Sequence, residues 1–180
     1  GSGTSTLLSL RAIEKFGHHP APLDPSLQRL LTFEHLDTYH QKTTGLVSDC
    51  SNQALLNLCL SPLAPWADAT GSYSYYSGVA AITESIHALS LAFQSPLKLL
   101  VVIDGPPGAT CHWARYPAIP IVLDAASGMD LSIDFLLDDM IRTDEKEMAL
   151  AWEHQLQAFG LSYQRFDYNF EKGGILLSTE

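Results

Sequence analysis

Apolar residues fall into two patterns along this chain: short unbroken runs and stretches spaced at helical intervals. Val79, Ile82, Ile86, Leu89 and Phe93 stand at i, i+3, i+7, i+10 and i+14, which is one face of a helix. Leu7, Leu10, Ile13 and Phe16 recur every third residue behind Thr4 or Ser5, either of which can cap orphan amides. A helix is therefore expected to open almost at the first residue and to stop at Gly17. Leu36 to Ser48 reads more weakly as helix, and Ile119 to Ala126 as a short one. Thr143 is expected to cap a helix with Asp144 and Glu145 in its first turn, where the dipole favours acids. Its apolar face is Met148, Trp152, Leu156 and Phe159, and Gly160 closes it.

The unbroken runs read as buried strands: Leu30 to Phe33 ending at Glu34, Leu55 to Leu60, Leu97 to Ile103, and Leu131 to Leu137 ending in Asp138-Asp139. Pro62 and Pro65 stop the second run, and Ala67 to Gly78, without periodicity, reads as a long loop. Tyr163 to Phe170 and Gly174 to Ser178 predict a closing hairpin across Lys172-Gly173. Strands alternating with helices imply one three-layer α/β domain over residues 1–180, Rossmann-like, with a mostly parallel sheet and an antiparallel C-terminal hairpin strand. The strand Leu97 to Ile103 is expected at the centre, covered on both faces.

Ligands of such sheets bind beyond the carboxyl ends of the strands, so the chemistry is sought there. Those ends carry Glu34, Ser61, Asp104 and the Asp138-Asp139 pair. Gly1-Ser2-Gly3-Thr4-Ser5-Thr6 is a glycine turn entering a helix, suited to an anionic group, although Gly-Ser-Gly is also a common cloning remnant. It lacks the third glycine of the dinucleotide fingerprint and the Gly-Lys-Ser/Thr of a phosphate loop. A carboxylate at Glu34 can accept both hydroxyls of a ribose. Asp104, Asp138 and Asp139, on strands expected to be adjacent, would repel one another unless a cation or proton is shared; Mg2+ suits them, while capping of turn amides is the plainer alternative.

Composition narrows the partners. Ten Lys plus Arg against twenty Asp plus Glu leave a net charge of -10, which argues against binding nucleic acid. No apolar run approaches the roughly 20 residues needed to cross a bilayer. No signal peptide is visible. Three cysteines without metal-type spacing suggest a reducing cytoplasm.

The order of these ends carries a resemblance. Gly-Ser-Gly-Thr-Ser-Thr, Glu34 after the next strand, Ser61-Pro62-Leu63, then Val102-Ile103-Asp104-Gly105-Pro106-Pro107-Gly108 and Ala114-Arg115-Tyr116-Pro117 resemble class I S-adenosylmethionine-dependent methyltransferases of a bacterial type. The resemblance spans nearly the whole chain. It implies a methyltransferase fold and methyl transfer, by an O-methyltransferase, to a hydroxyl of a small-molecule or glycan-related acceptor. It implies S-adenosylmethionine held by Gly1, Gly3, Thr4, Glu34 with its neighbour His35, Ser61, Leu63 and Asp104. His112 then becomes a candidate general base and Arg115 a substrate-anion or structural contact. The catechol-type branch of the family holds a metal on an Asp after one strand and an Asp-Asn pair after the next. Asp104 and Asp138-Asp139 are similar, with Asp139 in place of the Asn.

The family's first strand would lie upstream of Gly1, so the chain is expected to be N-terminally incomplete and its sheet to want a central member. Glu34 also stands further from Gly3 than the roughly 20 residues typical of a dinucleotide unit, because the Pro-rich stretch 17–27 intervenes. Two alternatives stay open: a catalytically silent fold serving as a cofactor-binding or interaction module, and a nicotinamide-dependent oxidoreductase. Self-association is a further open point. His18 and His19 read as solvated, Tyr73, Tyr75 and Tyr76 as a lid or as rim aromatics, and Trp66, Trp113 and Trp152 as rim or core.

Overall fold

The computed structural model describes residues 6, 8, 9, 11, 12, 30–50, 53–93 and 96–180. The chain divides into two compact units, Gly1–Ala64 with Tyr76–Ala92, and Pro65–Tyr75 with Phe93–Glu180. Near the N-terminus, Thr6, Leu8, Ser9, Arg11 and Ala12 are helical. The glycine turn, Thr4, His18, His19 and the Pro-rich stretch lie outside the described residues.

In the first unit, β1 (Leu30–Glu34) and β2 (Leu56–Leu60) pair in parallel, from Leu30 opposite Leu56 to Glu34 opposite Leu60. Between them runs α1 (Asp37–Val47), the helix expected only weakly, which buries Thr43 and Val47 four residues apart. Val47 and Leu56 form a small core against which Leu30, Cys50 and Leu58 pack. The periodic stretch forms α2 (Ala80–Ala92), with Ile86 as its buried residue.

In the second unit, β5 (Leu97–Ile103) pairs in parallel with β6 (Leu131–Asp138), Ile103 opposite Leu137. The closing hairpin is present as β7 (Tyr163–Tyr168) and β8 (Gly174–Thr179). Its second strand, not its first, lies antiparallel beside β6, so the sheet order is β5-β6-β8-β7. The two helices of the unit are α3 (Ala118–Ala125) and α4 (Thr143–Ala158). Period-two burial along β6 places Ile133, Phe135 and Leu137 in the core, together with Met148, Trp152 and Leu156 of α4. The Trp152 indole donates to the Tyr116 carbonyl at 2.9 Å, so this fully buried tryptophan leaves no orphan donor.

Five expectations are corrected. The stretch read as a loop from Ala67 to Gly78 is largely a hairpin, β3 (Leu63–Asp68) and β4 (Gly71–Tyr76). Asp68 accepts from the Thr70 amide at 2.8 Å and so makes the turn, while Tyr73 and Tyr75 are buried and alternate with serines. Pro65 is tolerated because a two-stranded sheet has an open edge on each strand. Second, the described strands form three sheets rather than one, and β5 is at an edge of its sheet instead of the centre. Third, Leu100 and Val102 on β5 are exposed, so the apolar run is covered on one face only. Fourth, Thr143 is the first residue of α4 and not its cap; Arg142 holds that position with no side-chain cap, which leaves Asp144 and Glu145 to answer the helix dipole. Fifth, Phe159 is exposed, because α4 ends one residue before it. Gly160 does end the helix, at φ +73, with its amide on the Gln157 carbonyl and the Leu161 amide on the Leu156 carbonyl.

Candidate functional site

Two clusters of chemically active side chains sit at strand ends, one in each unit. In the first unit Glu34 closes β1 and is 6% exposed. The Thr43 hydroxyl, projecting from α1, donates to its Oε1 at 3.0 Å and orients the carboxylate. Its backbone carbonyl accepts the Ser61 amide at 2.8 Å, because parallel pairing brings the ends of β1 and β2 level. Ser61 is itself buried, and its hydroxyl accepts the Gly78 amide at 2.7 Å. A Cβ at Gly78 would come within 3.0 Å of that hydroxyl, so glycine permits the close approach. Phe33 and Tyr76 stack beside this locus, ring centres 5.5 Å apart. Leu63, half-buried, begins β3 just beyond Ser61. His35 follows Glu34, makes an edge contact with Tyr39, and has its imidazole pushed below the usual range by burial. The structure thus brings Glu34 and Ser61 together; Gly1, Gly3 and Thr4 fall outside the described residues.

In the second unit the level ends of β5 and β6 bring Asp104, Asp138 and Asp139 together, with one carboxylate oxygen of each within 4.8 Å of the others. Sequence alone did not show how these acids are balanced. Arg115 is buried, and its guanidinium donates to the Pro106 carbonyl at 3.4 Å, the Asp138 carbonyl at 3.3 Å and the Asp139 carboxylate at 3.1 Å. Buried Glu145 lies 3.6 Å from the same guanidinium, and Asp104 lies 3.9 Å away. Arg142 completes the cluster, 2.8 Å from Asp139 and 3.3 Å from Glu145, and Lys172 stands 3.7 Å from Asp139. Arg115 therefore ties the two strand ends to the start of α4, which leaves little of it for a substrate anion.

The fit to a divalent cation is consequently uneven. Asp139 adopts φ +66, a conformation Asp tolerates better than most residues, and its carboxylate is committed to two guanidinium groups. Asp104 is half-exposed and Asp138 partly exposed, so these two can turn oxygens outward. Two carboxylates plus water is a donor set magnesium accepts.

His112 lies beyond the Asp104 turn. Its Nδ1 is 3.3 Å from the Asp144 carboxylate, and both side chains are open to solvent. The imidazole stacks on Trp113, which continues into an aromatic cluster with Tyr116, Tyr73 and Trp66. Tyr73 is thus packed rather than poised as a lid. Tyr116 is fully buried, its phenol pushed upward by burial and bonded to Asp68 and Gln155.

Sequence reasoning missed Thr43, Gly78, Arg142 and Glu145. The last two carried a local signal, opposite charges at i and i+3 on a helix start. Thr43 carried none.

No family model matches the sequence, and no curated protein matches it. Among solved structures, one from Clostridium thermocellum, described as a "putative rRNA-methylase", is similar over 84% of this chain and 72% of its own, at 14% identity and a TM-score of 0.46. A likeness of that degree assigns neither a family nor an activity.

Proposed function

We propose that the protein is an S-adenosylmethionine-dependent methyltransferase acting on a hydroxyl of a small-molecule or glycan-related acceptor. The observation that carries the proposal is the pair at the level ends of β1 and β2: a buried, oriented carboxylate at Glu34 beside the buried Ser61. That chemistry fits the adenosine end of the cofactor, since Glu34 would accept from the two ribose hydroxyls and Ser61 and Leu63 would hold the base. The strand-end order of the sequence motifs supports it.

When bound, the cofactor supplies a methyl group already activated on a sulfonium, so the protein's task is positioning and proton removal. The second task is assigned to His112, which carries a carboxylate partner in Asp144. With Nδ1 held by Asp144, its Nε2 is the nitrogen that takes the acceptor hydroxyl proton. Asp104 and Asp138 would hold magnesium, which would orient the hydroxyl and make it more acidic. Arg115 would serve as a positioning residue that holds the backbone at the end of β6 through the Asp138 carbonyl, its guanidinium 3.9 Å from the Asp104 carboxylate.

Calorimetric titration with S-adenosylhomocysteine, run beside NAD, tests the reading. Glu34→Ala removes a carboxylate accepting two hydroxyl bonds, worth about 1.5–3 kcal/mol, and so weakens S-adenosylhomocysteine roughly ten- to a hundred-fold. Binding untouched by the substitution, or a preference for NAD, would refute it. Cofactor binding without methyl transfer to any acceptor would select the silent-module alternative.

A further inference from the structure

We infer that β7 is the contact strand of a two-fold symmetric homodimer, in which β7 of one copy pairs antiparallel with β7 of a second and continues the sheet across both.

β7 is the edge of the order β5-β6-β8-β7, and five of its six residues, Gln164 to Tyr168, are exposed. An edge of that kind is a template for another strand unless its side chains forbid pairing. Charges usually do the forbidding. Here they alternate in sign along one face, with Arg165 and Asp167 two residues apart and ion-paired at 2.7 Å. Antiparallel self-pairing about a two-fold axis can be centred on any residue, and the charges discriminate among the centres. Centring on Arg165 or on Asp167 sets like charges directly opposite, which is destabilising. Centring on Phe166 sets each Arg165 opposite the second copy's Asp167, twice by symmetry. Of these three centres, charge favours Phe166 alone.

The other face of β7 agrees with the same centre. Phe166 pairs with Leu176, Leu176 with Leu136, and Leu136 with Val102, a row crossing all four strands on one face. Phe166 and Val102 are 44% and 52% exposed. Pairing about Phe166 places the two phenylalanines side by side at the axis and makes this apolar row continuous through the dimer. The Arg165 side chain is held in place from within its own unit, by Glu153 of α4 as well as by Asp167, so little further ordering is needed on association. The hydrogen bonds to Arg165 hold the Asp167 carboxyl below its usual range, so the charge pattern persists well into acid.

Sedimentation velocity at about 5–100 μM is the test. The natural chain is expected at twice its 19.7 kDa mass. Arg165→Asp and Asp167→Arg each set like charges opposite, so each variant alone sediments as monomer, its dissociation constant raised at least about tenfold. Mixed in equal amounts the two variants set opposite charges across the axis at both positions, and the dimer returns. Far-UV circular dichroism confirms that each variant is folded. Should Arg165→Asp fail to fold because Glu153 loses its partner, Phe166→Asp, at an exposed position, is expected to give monomer. A monomeric natural chain across this range overturns the inference, as does a dimer indifferent to these substitutions or a mixture of folded variants that stays monomeric. None of these outcomes depends on cofactor binding at Glu34.

Discussion

Arg115→Ala is the substitution whose cost the structure specifies most fully. The guanidinium is 4% exposed and lies against two carboxylates that are nearly as buried, Asp139 at 6% and Glu145 at 4%. Removing one member of a buried pair typically costs about 3–5 kcal/mol, because the remaining charge stays desolvated. Arg142 moderates this, since it remains 2.8 Å from Asp139 and 3.3 Å from Glu145. Its own guanidinium is 47% exposed, however, and it reaches neither backbone carbonyl that Arg115 bonds in this structure. The loss is therefore placed near the lower end, about 3 kcal/mol. For a chain of this length that lowers the melting temperature by about 6–12 °C and the urea midpoint by about 1–3 M. Arg115→Lys keeps the charge but not the planar fork, so it should recover only part of the loss. Arg142→Ala, which removes the more exposed partner, should cost no more than about 1 kcal/mol. Urea unfolding followed by fluorescence and by circular dichroism, with coincident transitions, reads all three. Arg115→Ala within about 1 kcal/mol of the natural chain, or Arg142→Ala equal to it, would refute a buried tie between the strand ends.

Two further outcomes are expected. Burial holds the folded-state pKa of His35 below its usual 6.5, so the unfolded chain binds more protons than the folded one near that pH and stability falls as pH drops through it. His35→Asn should flatten that part of the profile in denaturant midpoints, and an unchanged slope would dismiss the burial argument. Magnesium should raise the melting temperature of the natural chain, by an amount corresponding to about 2.7 kcal/mol at a hundred times its dissociation constant. The double substitution Asp104→Asn with Asp138→Asn should abolish the rise while Asp139→Asn, already destabilising, should not; equal shifts in all three would place the ion elsewhere.

Much of the local structure was legible. The unbroken runs at Leu97 to Ile103 and Leu131 to Leu137, the spacing of Val79 to Phe93 and the glycine at 160 each declare an element through neighbours within a few positions, and each element is present. The acids at strand ends were legible for the same reason, because a run that stops in Asp or Glu marks where a strand leaves its sheet. The β3–β4 hairpin was missed: Gly71 and the serines gave the stretch a loop composition, and an alternation as short as Tyr73-Ser74-Tyr75 does not outweigh it.

What the tertiary structure alone decided concerns partners distant in sequence. Nothing local to Tyr163–Tyr168 or Gly174–Thr179 says that the later strand inserts beside β6 and leaves the earlier one at the edge; that order depends on which strand finds β6. Nothing near Glu34 announces that Thr43 will orient it, since the contact depends on how α1 lies against β1. The acidic cluster is the sharpest case. Its three aspartates could be gathered from sequence, yet how much of their charge is already balanced depends on Arg115, which lies apart from them along the chain and is buried against Asp139. Periodicity is a property of neighbours along the chain. Charge balance and sheet order are properties of neighbours in space.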